Sequence, residues 1–420
     1  MKRVLAFALR LPRMQSAARL PASFLAAVAV FLALGLAFEA EAKVDVLCVY
    51  YPHWHVYPKG NEWFHPGWTE WEYVKSAQPR FEGHQQPIVP LVGYLDGKNP
   101  ADVAKEIDLA ADAGIDAFLY DYYYYNGQFT QEEAIEEGFL KAPNRARLKF
   151  ALMWCYHDRN MRWRPKNIRE ENPLRLMTLA RTSEEFLGLI DLSIARYFNK
   201  PEYYRRDGKI FFSIYNAPMF VQAVGTNEVR MALAEARRRV SRAGLGEIEF
   251  NAQNAWSLEE AAILRDVGFD SLTHYNANPI PRLYERMYDE GQLVFDYSET
   301  TVELKKRYEQ FAVAELPYYP SVSTGWDSTP RCDLGEPFPW RGRAKGEKLQ
   351  YPYTMVLTNC TAALFERNLR QAKTFADKTS KGGTGIVYVN AWNEYTEGCY
   401  LLPDNWNGDT RLEALRKVFR

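Results

Sequence analysis

The sequence predicts an α/β fold, a single-domain (β/α)8 TIM barrel with long βα loops, and three observations carry that expectation. Eight apolar runs of strand length alternate with eight runs of helical period along the 420 residues. The run Gly385-Ile386-Val387-Tyr388-Val389 is of the kind that fills a buried parallel strand. Every strand also ends in polar or aromatic side chains, as expected where the loops after the strands build one active face. A doubly wound open sheet is the rival arrangement of the same elements.

Taken in order, residues 44–51 read as the first strand. The stretch from Pro52 to about Asn99 is dense in aromatics, Pro and Gly and shows no helical period, which marks a functional loop. Residues 101–113 form a helix closed by Gly114, and 115–122 a strand running into the tyrosines Tyr122 to Tyr125. Next come a helix near 130–141, a strand at 149–155, a helix at 182–198, a strand at 209–215 and a helix at 227–242. A strand at 248–253, a helix at 257–266, a strand at 270–275, a helix near 300–313 and a strand at 317–323 follow. A helix at 361–377, the strand at 385–391 and a closing helix near 410–419 complete the series. Long insertions follow the first, third, sixth and seventh strands.

At 47% hydrophobic residues the chain can fill a large core. Residues 24–38 are an unbroken apolar run, preceded by Lys2, Arg3, Arg10, Arg13 and Arg19 and followed by Ala40-Glu41-Ala42. That is the layout of a signal peptide, too short for a comfortable membrane span, with cleavage expected after Ala42. The domain then covers 43–420, secreted or periplasmic, with no stable membrane insertion; an uncleaved N-terminal anchor is the alternative. Removing residues 1–42 takes away five basic and two acidic side chains and moves the formal charge from −1 to −4. A mildly acidic chain has no electrostatic claim on nucleic acid. Five scattered cysteines are an odd, sparse set rather than a disulfide framework. There is no C-x-x-C, H-E-x-x-H, Walker A loop or G-x-G-x-x-G, so no metal and no nucleotide cofactor is expected.

In a barrel the strand ends define the pocket. They carry His53 and Trp54, Asp121 and Tyr122, Trp154 with His157 and Asp158, Tyr215 and Asn216, Asn251 and Gln253, His274 and Tyr275, and Trp326 and Asp327. The last strand ends in Asn393, Glu394 and Glu397, whose E-x-x-E spacing can bring two carboxylates over one pocket, where general acid/base chemistry needs a pair. Trp392, Tyr395, Tyr400 and Trp406 surround that pair, and flat rings beside carboxylates suit the faces of a sugar. In the first loop, Trp68-Thr69-Glu70-Trp71 repeats a carboxylate between tryptophans. Alone, Glu70 reads equally as a surface carboxylate, and His53, His157 and His274 as structural histidines. No histidine pair has helical ligand spacing for zinc. Of the tyrosine run, only about half can face the pocket, because side chains alternate. Arg159, Arg162, Arg164 and Arg331 suit an anionic glycan or structural ion pairs.

Several stretches together carry a resemblance. They are Tyr50-Tyr51-Pro52 with His53, Trp68-Thr69-Glu70-Trp71, the block from Gln78-Pro79-Arg80 to Gln86-Pro87, Gly325-Trp326-Asp327-Ser328-Thr329-Pro330-Arg331, and Trp392-Asn393-Glu394-Tyr395-Thr396-Glu397-Gly398. From Val46 to the C-terminus the chain resembles the WbsX family, a relative of the glycoside hydrolase family 99 endo-α-mannosidases. The resemblance implies a (β/α)8 barrel and a polysaccharide or oligosaccharide substrate. It also implies that Glu394 deprotonates the sugar's own 2-hydroxyl as it attacks the anomeric carbon, giving a 1,2-anhydro intermediate. Glu397 would protonate the leaving oxygen and then activate water, with net retention. Such a scheme asks for an ionised Glu394 beside a partly desolvated, protonated Glu397.

Two positions depart from the family pattern. An Asn-Glu pair frequent after the third strand is replaced by Tyr156-His157, and Tyr395 stands where relatives often have Trp. The function expected is a secreted retaining glycoside hydrolase acting on an α-linked, mannoside-like glycan. A glycosyltransferase of surface-polysaccharide synthesis and a non-catalytic sugar-binding barrel are the alternatives.

Overall fold

The computed structural model describes residues 43–160, 175–276, 280–340, 349, 351–380 and 383–420. The expected leader at 1–42, and Arg162 and Arg164, lie outside the described residues.

The barrel strands are β1 (Val44–Tyr50), β2 (Ala117–Tyr125), β3 (Lys149–Cys155), β4 (Lys209–Tyr215), β5 (Ile248–Gln253) and β6 (Ser271–Thr273). They continue with β7, in two pieces at Tyr318–Tyr319 and Ser321–Ser323, and β8 (Gly385–Asn390). All neighbours run parallel: Leu47 of β1 lies opposite Ala117 of β2 on one side and Tyr388 of β8 on the other. The break in β7 is at Pro320, which has no N–H to give to a ladder. Its carbonyl still accepts from the Tyr388 N–H at 2.9 Å. The first piece pairs with β6, Tyr318 opposite Leu272, and the second with β8, Ser321 opposite Tyr388. The nine parallel segments are therefore eight strands of a nearly closed ring, the two pieces of β7 being joined through Pro320.

Helices pack outside the ring where the helical period places them. Four begin at Asn99, Thr182, Ser257 and Thr361, whose side-chain oxygens accept backbone N–H groups of the first turn, each cap contributing about 1 kcal/mol. The helix expected near 130–141 is instead a π turn, Ala134–Gly138, continued as a 3₁₀ turn, Phe139–Lys141. There Gly138 abuts the backbone of Gly97, whose carbonyl oxygen would stand 2.2 Å from any Cβ. Helices at Ala217–Val224 and Pro281–Asp289 were not expected. The first loop, read as structureless, holds two six-residue helices, Pro58–Trp63 and Trp71–Ser76, too short to display a period. No described helix is long and apolar enough to cross a membrane, and the five cysteines are unpaired.

Inside the barrel the floor is polar. Ser213 Oγ donates to Asn251 Oδ1 at 2.8 Å, Asn251 Nδ2 to Ser271 Oγ at 3.0 Å, and Gln253 Nε2 to Ser213 Oγ at 2.8 Å. Tyr388 and Tyr319 add hydroxyl donors to Asn251 and Glu249 at 3.0 and 2.7 Å. These bonds cross four neighbouring strands and β8 and tie the buried polar side chains of the floor to one another, while Gln253 Oε1 has no partner among the described residues.

Candidate active site

After β8 the chain folds back in a minimal hairpin. Asn393–Glu394 pairs antiparallel with Cys399–Tyr400, and Tyr395–Glu397 form one 3₁₀ turn between them. With three residues per turn, positions i and i+3 eclipse, so Glu394 and Glu397 emerge on one side. Gly398 permits the return. Its φ is +68°, and a Cβ there would lie 2.7 Å from the backbone nitrogen of Asp327, so glycine is required twice over.

Arg331, from the loop after β7, joins both carboxylates. Its Nη2 donates to Glu394 Oε1 at 2.9 Å and its Nη1 to Glu397 Oε1 at 2.8 Å. The same guanidinium holds Glu70, so three carboxylates meet one cation. The Tyr351 hydroxyl donates to Glu397 Oε1 at 2.7 Å and accepts from Arg331. Thr396 Oγ1 donates to Glu70 Oε1 at 2.8 Å, and the Tyr51 hydroxyl to Glu70 Oε2 at 2.8 Å.

Burial pushes both Glu394 and Glu397 above the usual carboxyl range, Arg331 opposing, with Glu397 and Glu70 raising Glu394 and Glu70 raising Glu397. Glu394 is the deeper of the two: its side chain is 3% exposed against 15% for Glu397. Two carboxyls sharing one guanidinium titrate as a pair.

A cavity of about 540 Å³ opens over the pair, within the span of small-molecule sites, about 300–1,000 Å³. Tyr51, Tyr123, Tyr215, Tyr275, Trp326 and Tyr351 present rings to it. Asp121 also lines it, accepting from the Tyr275 hydroxyl at 3.3 Å through Oδ2 while its Oδ1 has no partner among the described residues. Burial raises Asp121 well above the ordinary carboxylate range. Among the described residues no group of His, Cys, Asp and Glu could hold a metal ion. The arrangement can move protons at an atom placed between Glu394 and Glu397 and can stack flat rings on a sugar.

Residues 46–415 match the family model described as Glycosyltransferase WbsX. The chain belongs to the WbsX family. Among curated relatives, the uncharacterized protein WxcX of Xanthomonas campestris pv. campestris strain B100 is 27% identical over 391 residues, 91% of this chain and 50% of that one. The chain thus spans about half the length of the curated relatives it matches. Among solved structures, the GH99 endo-alpha-mannosidase from Bacteroides thetaiotaomicron is similar with a TM-score of 0.53 at 14% identity, over 90% of this chain and 96% of that one. A glycoside hydrolase-like protein matches with a TM-score of 0.53 at 18% identity, over 91% and 96%. At such identities the likeness is one of fold, and it agrees with the barrel.

The barrel of this WbsX chain sorts the sequence candidates. Asp121, His157, Tyr215, Trp326, Glu394 and Glu397 line the cavity. Glu70 lies behind them on Arg331. His53 stacks on Tyr51 with centroids 4.4 Å apart, and Asn393 Oδ1 accepts from the Tyr51 N–H at 2.8 Å. Other candidates are elsewhere. Tyr122 packs on Phe129 and Tyr197, Trp154 on Phe186 and Phe220, and His274 on Phe311 and Tyr318, all on the helix side of their strands. The reason is the two-residue period, which turns Asp121 and Tyr123 inward and Tyr122 outward.

Asn251 is fully buried in the polar floor. Asp327 turns away to His84 and Gln86 at 2.9 and 2.7 Å. Trp54 and Trp71 pack on Tyr395 at 5.5 and 5.2 Å, and Tyr395 stacks on Tyr400. With the buried Trp392 they support the carboxylate turn from behind, and Trp406 is a surface ring bonded to Pro87. The rings expected around the pair are therefore its foundation. Tyr275, read at the end of its strand, does line the cavity, whereas sequence reasoning did not single out Tyr123 and Tyr351; alternation from Asp121 points to Tyr123, whereas Tyr351 sits in a loop without local signal.

Proposed function

We propose that the chain is an exported carbohydrate-active enzyme, a retaining glycoside hydrolase that cleaves an α-linked, mannoside-like glycan with help from the sugar's 2-hydroxyl. The observation that carries this reading is the placement of Glu394 and Glu397 on one guanidinium at the wall of a ring-lined cavity. Glu394 takes the 2-hydroxyl proton as that oxygen bonds to the anomeric carbon, while Glu397 gives its proton to the departing glycosidic oxygen. Water then bonds to the anomeric carbon as Glu397 takes its proton, and the ring-opened 2-oxygen recovers a proton from Glu394. Two inversions leave retention. The cycle needs one proton on the pair at the outset, and the burial that raises both carboxyls supports it. The apolar run at 24–38 and Ala40-Glu41-Ala42 support export.

The test is release of reducing ends from α-mannans and other α-linked polysaccharides by residues 43–420, against Glu394→Gln and Glu397→Gln. The expected result is cleavage of at least one polymer and a rate loss of roughly 10²-fold or more in each variant. Cleavage untouched by both substitutions sinks the assignment. The family's description as a glycosyltransferase supports a second reading, in which the pair serves transfer to an acceptor sugar. Chain extension without new reducing ends would favour it.

A further inference from the structure

We propose that the cavity accepts an acidic glycan, with Arg159 receiving a carboxylate or sulfate ester on the sugar; this names a substrate class for the site just described and rests on that reading. Among the described residues three guanidinium groups line the cavity, Arg159, Arg181 and Arg331. Two have counter-ions. Arg331 holds three carboxylates, and Arg181 pairs with Asp158 at 2.7 Å.

Arg159 pairs with no carboxylate among the described residues. Its Nη1 donates to Gln131 Oε1 at 3.1 Å, and its Nη2 lies 2.8 and 3.0 Å from the ring nitrogens of His53. The guanidinium also faces the rings of Tyr123 and Trp63 at 5.0 and 5.5 Å. Every one of these partners is neutral, since burial and Arg159 itself push His53 well below its usual range. Dipoles and ring faces hold a cation in place without cancelling its charge, so a half-buried guanidinium of this kind keeps its demand for an anion. Its planar fork matches two oxygens of a carboxylate or sulfate.

The position fits as well. Arg159 follows β3 and the carboxylate pair follows β8, three strands round the ring, so a substituent on Arg159 sits beside the reacting centre and away from the negative charge of Glu394 and Glu397. A purely structural Arg159, serving only to press His53 onto Tyr51, would give the site no preference for charge.

The experiment measures equilibrium binding to the Glu397→Gln protein at about 50 mM salt, using one α-mannan in three forms: neutral, oxidised at C6 to carboxylate, and O-sulfated. At least one acidic form should bind about tenfold or more tightly than the neutral polymer, and which one does so identifies the substituent. Adding Arg159→Gln should abolish that difference. If that variant does not fold, Arg159→Lys carries the test, and should weaken the acidic polymer several-fold while leaving the neutral one unchanged. Equal binding of all three, binding of neither acidic form, or a preference that survives loss of Arg159 overturns the proposal. Cleavage of neutral mannan with no acidic preference would sink this inference and leave the hydrolase reading. Arg159-dependent acidic binding with no polymer cleaved would do the reverse.

Discussion

Arg331 gives two hydrogen bonds to a single oxygen of Glu70, from Nη2 at 2.5 Å and from Nε at 2.8 Å. One residue belongs to the loop after β1 and the other to the loop after β7. Together they set where the guanidinium meets the carboxylate pair. Glu70 is thus a positioning residue whose negative charge also raises Glu394 and Glu397. Glu70→Gln removes that charge, so both carboxyls should lose protons at lower pH. The alkaline limb of the kcat/KM profile, which reports the protonated acid, should move toward lower pH. A loss of rate with an unmoved limb would reduce Glu70 to scaffolding.

Arg331→Met strands three buried or half-buried carboxylates without their cation. Removing one partner of a buried ion cluster costs about 3–5 kcal/mol, and denaturant unfolding at pH 7 should show a loss of that order. The loss should shrink at pH 5, because the carboxyls that burial has raised then carry protons. Equal losses at both pH values would contradict the ionic account.

Gly398→Ala forces a Cβ against Asp327 at a left-handed φ. Strain of this sort costs about 1–3 kcal/mol. Because Gly398 follows Glu397 directly, the rate should fall by more than the fraction of protein unfolded, which parallel melting curves and rates at saturating substrate would separate.

Glu106, in the helix Pro100–Ala113, is buried and accepts from the Tyr50 hydroxyl at 2.8 Å and Trp392 Nε1 at 3.1 Å. Burial outweighs these bonds and pushes its carboxyl from the ordinary 4.5 up to about 7. The folded state therefore holds the proton more tightly than the unfolded chain. Its contribution is full below about 4.5 and is lost as the pH rises through about 7. That difference is on the order of 3 kcal/mol. The wild-type advantage over Glu106→Gln, which mimics the protonated acid, should decline across that window in unfolding titrations; a flat difference would refute the shift.

The barrel was legible because a parallel strand buried on both faces is a short apolar block, and most strands and outer helices fall within a few residues of their sequence limits. The carboxylate turn was legible for the same reason, since it directly follows such a block. Faces were harder to read. Trp154 was counted as a pocket residue from its place near a strand end, yet alternation gives that side of β3 to Met153 and Cys155, which line the cavity. Arg331 and Tyr351 belong to a loop with no period, and only the tertiary fold brings them to Glu397.

The break at Pro320 makes β7 the seam of the molecule. Six residue pairs register β2 with β3, whereas two join β6 to the first piece of β7 and three join the second piece to β8. Amide deuterium uptake should therefore begin along this seam while β2 and β3 stay protected. The loop that leaves β7 carries Arg331, and the hairpin that leaves β8 carries the two glutamates. Breathing of that single joint would lift the cation from its anions without disturbing the rest of the ring.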